Sequence, residues 1–178
     1  MTEQSGNWVA IVTGITSIVA TIIAIGTFLY TWHKDSEEIN VAQANKISAW
    51  IDNDERGEAK LTKDMKFMNV IINNVSEQPV YNVVLSSGTY QGSGTPYLTG
   101  ADATSSIGTL PPGKYTTRVP YPGAGMHTRM EAAVSFTDTR GNSWIRDATG
   151  HLKSAIDPDS ELRVDLPPNN WQALRSIQ

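Results

Sequence analysis

The sequence contains no cysteine among its 178 residues. Thiolate metal sites, thiol catalysis and disulfide frameworks are therefore excluded. Basic residues are also few, because 14 Lys and Arg stand against 18 Asp and Glu for a net charge of −4. Glu3 is the one charged side chain before Lys34, so the rest of the chain carries −3. That mild acidity argues against nucleic-acid binding, which requires a basic face.

The longest charge-free segment lies near the amino terminus. Residues 8–32 read WVAIVTGITSIVATIIAIGTFLYTW, 25 residues without a charged side chain. At about 1.5 Å per residue, a helix of this length crosses a hydrocarbon core of about 30 Å. No basic residue precedes the segment and no small-residue cleavage site follows it, which is atypical of a signal peptide. The sequence therefore predicts one transmembrane helix in residues 8–32, after an N-terminal tail in residues 1–7.

Aromatic residues stand at both ends of this segment, Trp8 at one end and Tyr30 and Trp32 at the other. Amphipathic rings favour the headgroup level of a bilayer, so these three are the predicted membrane-interface residues. Lys34 and Lys46 follow the segment closely. Because cytoplasmic flanks carry the excess of Lys and Arg, we expect a single-pass protein of the cell membrane, in contact with lipid, whose C-terminal domain is cytoplasmic.

Residue sizes within the predicted helix are sorted. Small side chains recur at spacings of four and three residues, and these are Ala10, Gly14, Ser17, Thr21 and Ala24. Such a seam lets two helices approach closely in lipid, where packing drives association. The seam therefore predicts a helix–helix contact, in a homo-oligomer or with a partner membrane protein. Small residues are also common in membrane helices generally, so a seam without a partner is the alternative.

The segment after the predicted membrane helix has a helical pattern. Residues 33–51 contain no Gly or Pro, and Ala44, Ile47 and Ile51 form an apolar stripe at helical spacing. The sequence predicts a helical stalk here, whose stripe either pairs two stalks or packs on the following domain. Residues 52–64 are charged and include a glycine, which indicates an exposed linker.

Residues 65–155 change to β character. Short segments rich in Val, Ile and Thr alternate with turn residues, which predicts an antiparallel β-sandwich, immunoglobulin-like in build. The predicted strands read KFMNVIINN, VYNVVLSS, KYTTRVP, MEAAVSFT, NSWIRD and GHLK, and DTRG is a hairpin turn. Residues 86–109, mostly Ser, Gly, Thr and Ala, are predicted to form a long loop with one weak strand near 96–98. Residues 156–178 are a C-terminal tail, which Trp171 and Leu174 are expected to hold against the domain.

Several phrases occur in an order that is typical of one group of proteins. The strings AQANKISAW, NVSEQPVYNVVLS, LPPGKYTTRVP and VSFTDTRGNSWIRDATGHL span residues 42–153. Together they resemble a group of uncharacterised actinobacterial membrane proteins. The resemblance implies a membrane helix and a polar stalk that lead into a small cytoplasmic β-domain. It implies no activity and no functional residue.

Two groups of polar residues are candidate metal ligands. His33, His127 and His151 fall in no metal-ligand spacing, which indicates ordinary surface histidines. Asp138, Asn142 and Asp147 bracket the FTDTRGNSWIRD hairpin, but they lack the ligand spacing of a calcium loop. Asp and Asn are favoured turn residues, so a turn is the preferred interpretation. No metal and no cofactor is predicted.

One strand carries a Trp–Arg pair. Trp144 either lies in the core, which is the favoured interpretation, or faces outward beside Arg146 as a recognition surface. Without a catalytic constellation, we expect a non-enzymatic, membrane-anchored interaction or regulatory module. The alternatives are a structural subunit of a larger membrane complex and, less favoured, an enzyme whose site combines scattered residues such as Asp138, Arg146 and His151.

Overall fold

A computed structural model gives the structure of residues 3–91, 97–98, 103–123, 128–162 and 170–177. Within these ranges, side chains are described except at 3–13, 15, 32–40, 90–91, 97–98, 128 and 159–160. The chain divides into two compact units, Met1–Val41 and Ala42–Gln178.

The first unit is helical. Helix α1 runs over Glu3–Ala44, so it begins inside the predicted N-terminal tail and its last three residues belong to the second unit. Large apolar side chains are exposed along it, with Ile22 at 64% and Phe28 at 68%. Among the residues that the structure describes, no helix is both long and apolar enough to cross a membrane.

The predicted stalk is wrong over its last seven residues. Helix α1 ends at Ala44, a turn follows, and strand β1 occupies Ile47–Ile51. Ala44, Ile47 and Ile51 are buried in the second unit, so the stripe packs on the domain. The error has a simple cause: a spacing of four residues returns a side chain to the same face in a helix and in a strand alike. Antiparallel pairing with the next strand selected the extended form.

The second unit is mainly β. Its elements after β1 are β2 (Phe67–Asn74), β3 (Val80–Gln91), β4 (Tyr97–Leu98), β5 (Thr104–Leu110), β6 (Gly113–Pro120), β7 (Thr128–Thr137), β8 (Ser143–Arg146), β9 (Leu152–Ser154), α2 (Pro158–Leu162) and β10 (Arg175–Ser176). The strands predicted from residues 66 to 154 are confirmed, including the β7–β8 hairpin. The segment 52–64 is a loop within the sheet, between β1 and β2, rather than a linker before the domain.

The strands form two antiparallel sheets. Sheet A has the order β1-β2-β6-β10, and sheet B has the order β4-β3-β7-β8-β9 with β5 also paired to β3. The sheets pack on one another: the Ser87 hydroxyl in sheet B donates to the Pro120 carbonyl in sheet A at 3.1 Å. This arrangement is consistent with the predicted β-sandwich.

Side-chain alternation divides each strand between two faces. In β2, Met68, Val70 and Ile72 are fully buried and face sheet B, whereas Asn69 and Ile71 are half-buried on the opposite side. We call that opposite side the outer face of sheet A. The outer side of sheet B is also covered, because Val84, Ala133 and Ile145 cluster with Ala155 and Leu162 of the C-terminal segment.

One strand and the end of another differ from the prediction because their composition resembles that of loops. Strand β5 lies in the predicted loop 86–109, and β3 extends into the same region as far as Gln91. Their Ser and Thr side chains are small enough to pack between sheets: Ser86, Ser87 and Ser105 are almost fully buried. Composition alone could not separate such strands from a loop.

The predicted tail is also part of the sandwich. Ser106 donates its backbone N–H to the Asn170 carbonyl at 2.9 Å, and Gln172 donates to the Ser106 carbonyl at 2.9 Å. Strand β10 then pairs with β6, so the C-terminal segment joins one edge of each sheet. Leu174 is half-buried but Trp171 is 62% exposed. Backbone pairing therefore contributes to the attachment of the tail. The prediction from the sequence invokes only the side chains of Trp171 and Leu174.

Candidate functional site

The Asp138 carboxylate closes the turn between β7 and β8. It is 2% exposed and accepts hydrogen bonds from the backbone N–H groups of Arg140 and Asn142, both at 2.9 Å. Its second oxygen accepts from the Trp144 indole Nε1 at 2.9 Å and from the Asn142 amide at 3.2 Å. A carboxylate with these partners stabilises a turn. The turn interpretation therefore holds for Asp138, and Trp144 lies in the core, 7% exposed.

Burial alone would raise the pKa of Asp138, but the hydrogen bonds from Trp144, Asn142 and Arg140 outweigh it and lower the pKa below the usual 3.8. Asp147 behaves in the same way. Burial raises its pKa, whereas hydrogen bonds from Thr149 and His151 bring it below 3.8. Both groups are therefore ionised at neutral pH, as acceptors within their turns. In the described part of the chain, no group of three His, Asp or Glu residues could hold a metal ion.

Arg146 holds the residues that connect α1 to β1. Its Nε donates to the Ile47 carbonyl at 2.7 Å, and its Nη2 donates to the Ala44 carbonyl at 3.2 Å. Its Nη1 donates to the Gly150 carbonyl at 2.8 Å. A cation that binds the final carbonyls of a helix is favourable to the helix dipole. Arg146 is thus a structural clamp and does not form an outward recognition pair with Trp144.

Gln43 extends this clamp from the other side. Its Oε1 accepts hydrogen bonds from the backbone N–H of Thr139 at 3.1 Å and from the Thr139 hydroxyl at 2.9 Å. Its Nε2 donates to the Pro79 carbonyl at 3.2 Å. The phrases AQANKISAW, NVSEQPVYNVVLS and FTDTRGNSWIRD therefore meet around residues 43–47. The hydrogen bonds that these phrases form at this junction stabilise the fold.

The scattered residues of the enzyme hypothesis take part in different contacts. Asp138 is bound within its turn and Arg146 within the clamp. His151 is exposed, and its backbone N–H donates to Asp147 at 3.0 Å. In the part of the chain that the structure describes, no hydrogen bond or ion pair joins these three side chains to one another. The His33 side chain and all of His127 lie outside the described residues.

The seam of α1 is exposed where its side chains are described, at Gly14, Ser17, Thr21 and Ala24. The Thr21 hydroxyl donates to the Ser17 carbonyl at 2.8 Å, so its hydrogen-bonding capacity is used within the helix. The Ala10 side chain lies outside the described set. Of the predicted interface residues, Tyr30 is 73% exposed, and the side chains of Trp8 and Trp32 are also outside that set.

A surface that the sequence did not reveal lies on the outer face of sheet A. The strand register places Trp50, Ile71, Thr116 and Arg175 opposite one another in a single row across the four strands. Lys114 and Arg118 flank Thr116 on the same face of β6, two residues away on either side. The Lys114 Nζ lies 5.6 Å from the centroid of the Trp50 ring, within the range of a cation–π interaction.

The cationic end of this row contains a cleft of about 180 Å³. Asn69, Thr116, Arg118, Gln172 and Arg175 are among its lining residues. Arg118 and Arg175 are exposed, and neither forms an ion pair with any residue that the structure describes. The cleft therefore presents two guanidinium groups and several neutral polar side chains to solvent.

A partial signal for this surface was present in the sequence. Lys114, Thr116 and Arg118 alternate in LPPGKYTTRVP, as expected of the exposed side of a strand. Trp50 and Arg175 are remote in sequence from that strand, and only the pairing of β1 and β10 into sheet A brings them to it.

Comparison with known proteins adds no relative. No family model matches the sequence, and no curated protein matches it significantly.

Proposed function

We propose that the protein is a membrane-anchored, non-enzymatic interaction or regulatory module. Helix α1 tethers it to the cell membrane as a single transmembrane span over residues 8–32, and residues 42–177 form a β-domain of immunoglobulin-like build in the cytoplasm. The observation that carries the anchor is the exposure of large apolar side chains on several sides of α1. Ile18 and Ile22 lie on one side, Val19 and Ile23 on another, and Phe28 on a third.

A water-exposed helix with this surface would be unfavourable, because contiguous apolar area must be covered by lipid or protein. Lipid is the simplest cover, since the segment from Trp8 to Trp32 carries no charge on any side. The interaction role is supported by the domain. The buried Asp138 and the half-buried Asp147 serve in turns, whereas the exposed Arg118 and Arg175 face solvent without an ion-pair partner among the described residues.

The anchor is tested by replacing Ile18 and Ile22 together with Lys. Each charge at the centre of a membrane helix costs about 2.5–3.5 kcal/mol of insertion free energy. The native chain should remain in membranes washed with alkaline carbonate, and the Lys variant should be released. The matched control replaces the same two residues with Leu and should stay bound. Release of the native chain, or retention of the Lys variant, would exclude a transmembrane anchor.

The second candidate is a structural subunit of a larger membrane complex, bound through the small seam. It is supported by the spacing of the seam residues, which places Gly14, Ser17, Thr21 and Ala24 on one side of α1. Replacing Gly14 and Ser17 with Leu should weaken helix association by about 1 kcal/mol or more. Replacing Ile15 and Ile22 with Leu should change it little. Energy transfer between labelled chains in bilayers measures both, and equal behaviour of the two variants would show that the seam makes no contact.

A further inference from the structure

The outer face of sheet A differs from an ordinary solvated sheet face in its charges. Lys114, Arg118 and Arg175 are exposed there, all of one sign, beside the large ring of Trp50. The acidic residue nearest in register, Asp52, forms an ion pair with Lys60 at 2.8 Å in the loop after β1. Trp and Arg are the residues most enriched where proteins bind each other tightly.

The cleft on this face is constructed by the fold. The buried Thr117 hydroxyl donates to the Ala173 carbonyl at 3.1 Å, which holds the returning C-terminal segment against β6. The Gln172 amide donates to Asn170 at 2.9 Å. Strand pairing of Arg175 with Thr116 then places Arg175 beside the β6 strand that carries Arg118. Two cationic residues thus line one cleft of about 180 Å³.

We infer that the outer face of sheet A binds an acidic segment of a partner protein, with a carboxylate side chain in the cleft between Arg118 and Arg175. Guanidinium groups bind carboxylates through paired N–H donors, which adds direction to the attraction. Asn69 and Thr116 supply neutral donors at the same cleft. Trp50 and Ile71, in the same row as Arg175, offer apolar area to the neighbouring residues of the segment.

The number of cations favours a protein over the other anionic macromolecules. Recognition of an anionic lipid surface uses clusters of about four to eight Lys and Arg. Binding of duplex nucleic acid typically neutralises several phosphates, about six to ten in strong cases. Three cations beside a tryptophan are few for either surface, whereas they suit one or two carboxylates in a mixed interface.

This inference deepens the proposed interaction role by naming the chemistry of the partner, and it does not depend on the membrane anchor. The probe is a fluorescent ten-residue peptide of alternating Glu and Leu, and its partner control carries Gln in place of Glu. Binding to the full chain is measured by fluorescence anisotropy in neutral detergent micelles, which cover the apolar surface of α1 whatever its natural environment.

The Arg118→Gln, Arg175→Gln double variant should bind the Glu peptide at least about tenfold more weakly than the native chain. The native chain should likewise bind the Gln peptide at least about tenfold more weakly than the Glu peptide. The matched control is Arg56→Gln with Lys63→Gln, which removes two exposed positive charges from the β1–β2 loop. It should change binding by less than about twofold. Thermal unfolding verifies that each variant is folded.

Three results would overturn the inference. Equal loss in the two double variants would mean that net charge alone attracts the peptide. Equal binding of the Glu and Gln peptides, or no binding at about millimolar peptide, would exclude carboxylate recognition. Displacement of the peptide by phosphatidylserine in mixed micelles, absent in the Arg118→Gln, Arg175→Gln variant, would assign the cleft to lipid. If the carbonate experiment fails while the peptide binds, only the anchor is wrong.

Discussion

The Asp138 carboxylate is a buried charge that the β7–β8 turn keeps fully bonded. Burying an ionised group is costly unless hydrogen bonds replace its water. Backbone groups supply part of this replacement, and the Trp144 indole supplies a donor from the core side at 2.9 Å. The Trp144–Asp138 hydrogen bond joins a polar turn to the apolar interior. Removal of either side chain leaves the other without this hydrogen bond.

Replacing Trp144 with Phe should lower the free energy of unfolding by about 1–3 kcal/mol. The smaller phenyl ring keeps part of the aromatic packing, and the Asp138 Oδ2 loses the indole N–H in a buried place. Urea unfolding of the full chain in neutral detergent measures the change. Trp50→Phe is the control, because Trp50 is 37% exposed and donates no side-chain hydrogen bond among the described contacts. If both variants lose the same stability, the indole–carboxylate bond contributes nothing.

The stabilisation from Asp138 should depend on pH. Burial opposes it, but its hydrogen bonds keep the folded-state pKa below the usual 3.8. A group with a lower pKa in the folded state stabilises above its unfolded value, and this stabilisation is lost as pH falls through the folded value. The difference in unfolding free energy between the native chain and Asp138→Asn should therefore shrink as pH falls below about 5, through the usual 3.8 and the lower folded-state pKa. A constant difference over that range would contradict the proposed ionisation.

At the scale of elements, the clamp by Arg146 joins the end of α1, the start of β1 and the β8–β9 turn. Replacing Arg146 with Met keeps much of the side-chain length and removes every donor. Four carbonyl groups then lose a donor, those of Ala44, Asn45, Ile47 and Gly150. Unfolding free energy should fall by about 2–3 kcal/mol, as for hydrogen bonds from a charged group. Arg56→Met, in an exposed loop, should change it by less than about 0.5 kcal/mol.

The start of the folding unit should lie near Ala42. Strand β1 contributes Ile47 and Ile51 to the core, and burial of two such side chains is worth about 3–6 kcal/mol. That is a large part of the free energy of unfolding of a typical domain, which is about 5–15 kcal/mol. A fragment of residues 42–178 should show a β spectrum and a cooperative melt by circular dichroism, and a fragment of residues 61–178 should not. Similar melts would show that β1 is dispensable.

At the scale of the whole molecule, the proposed cytoplasmic position of the β-domain rests on Lys34 and Lys46. Protease added to intact cells should leave the domain uncut, and lysis should expose it. A variant with Gln4→Arg and Asn7→Arg cancels the lysine asymmetry, with two basic residues on each side, and should increase the fraction that is cut in intact cells. Cleavage of the native chain in intact cells would place the domain on the opposite side.

A strand could be predicted from the sequence where its side-chain alternation or its turn residues lie within one short segment. Alternation of Met68, Val70 and Ile72 marked β2, and the DTRG turn marked the β7–β8 hairpin, because both signals lie within one short segment. Strand β1 was predicted as helix, since Ile47 and Ile51 are four residues apart and fit both periods. Strand β5 was missed because Ser and Thr side chains, normally exposed, pack here between closely spaced elements.

By itself, the sequence determined the β character of residues 66–154, the turn chemistry of Asp138 and the uncharged apolar segment of α1. These properties follow from local periodicity, side-chain hydrogen bonding and charge. Only the tertiary structure decided that β1 and β10 complete sheet A, that Arg146 points inward, and that Trp50 and Arg175 share a row. The physical reason is that pairing between distant strands is set by the packing of the entire sandwich, and no short segment records it.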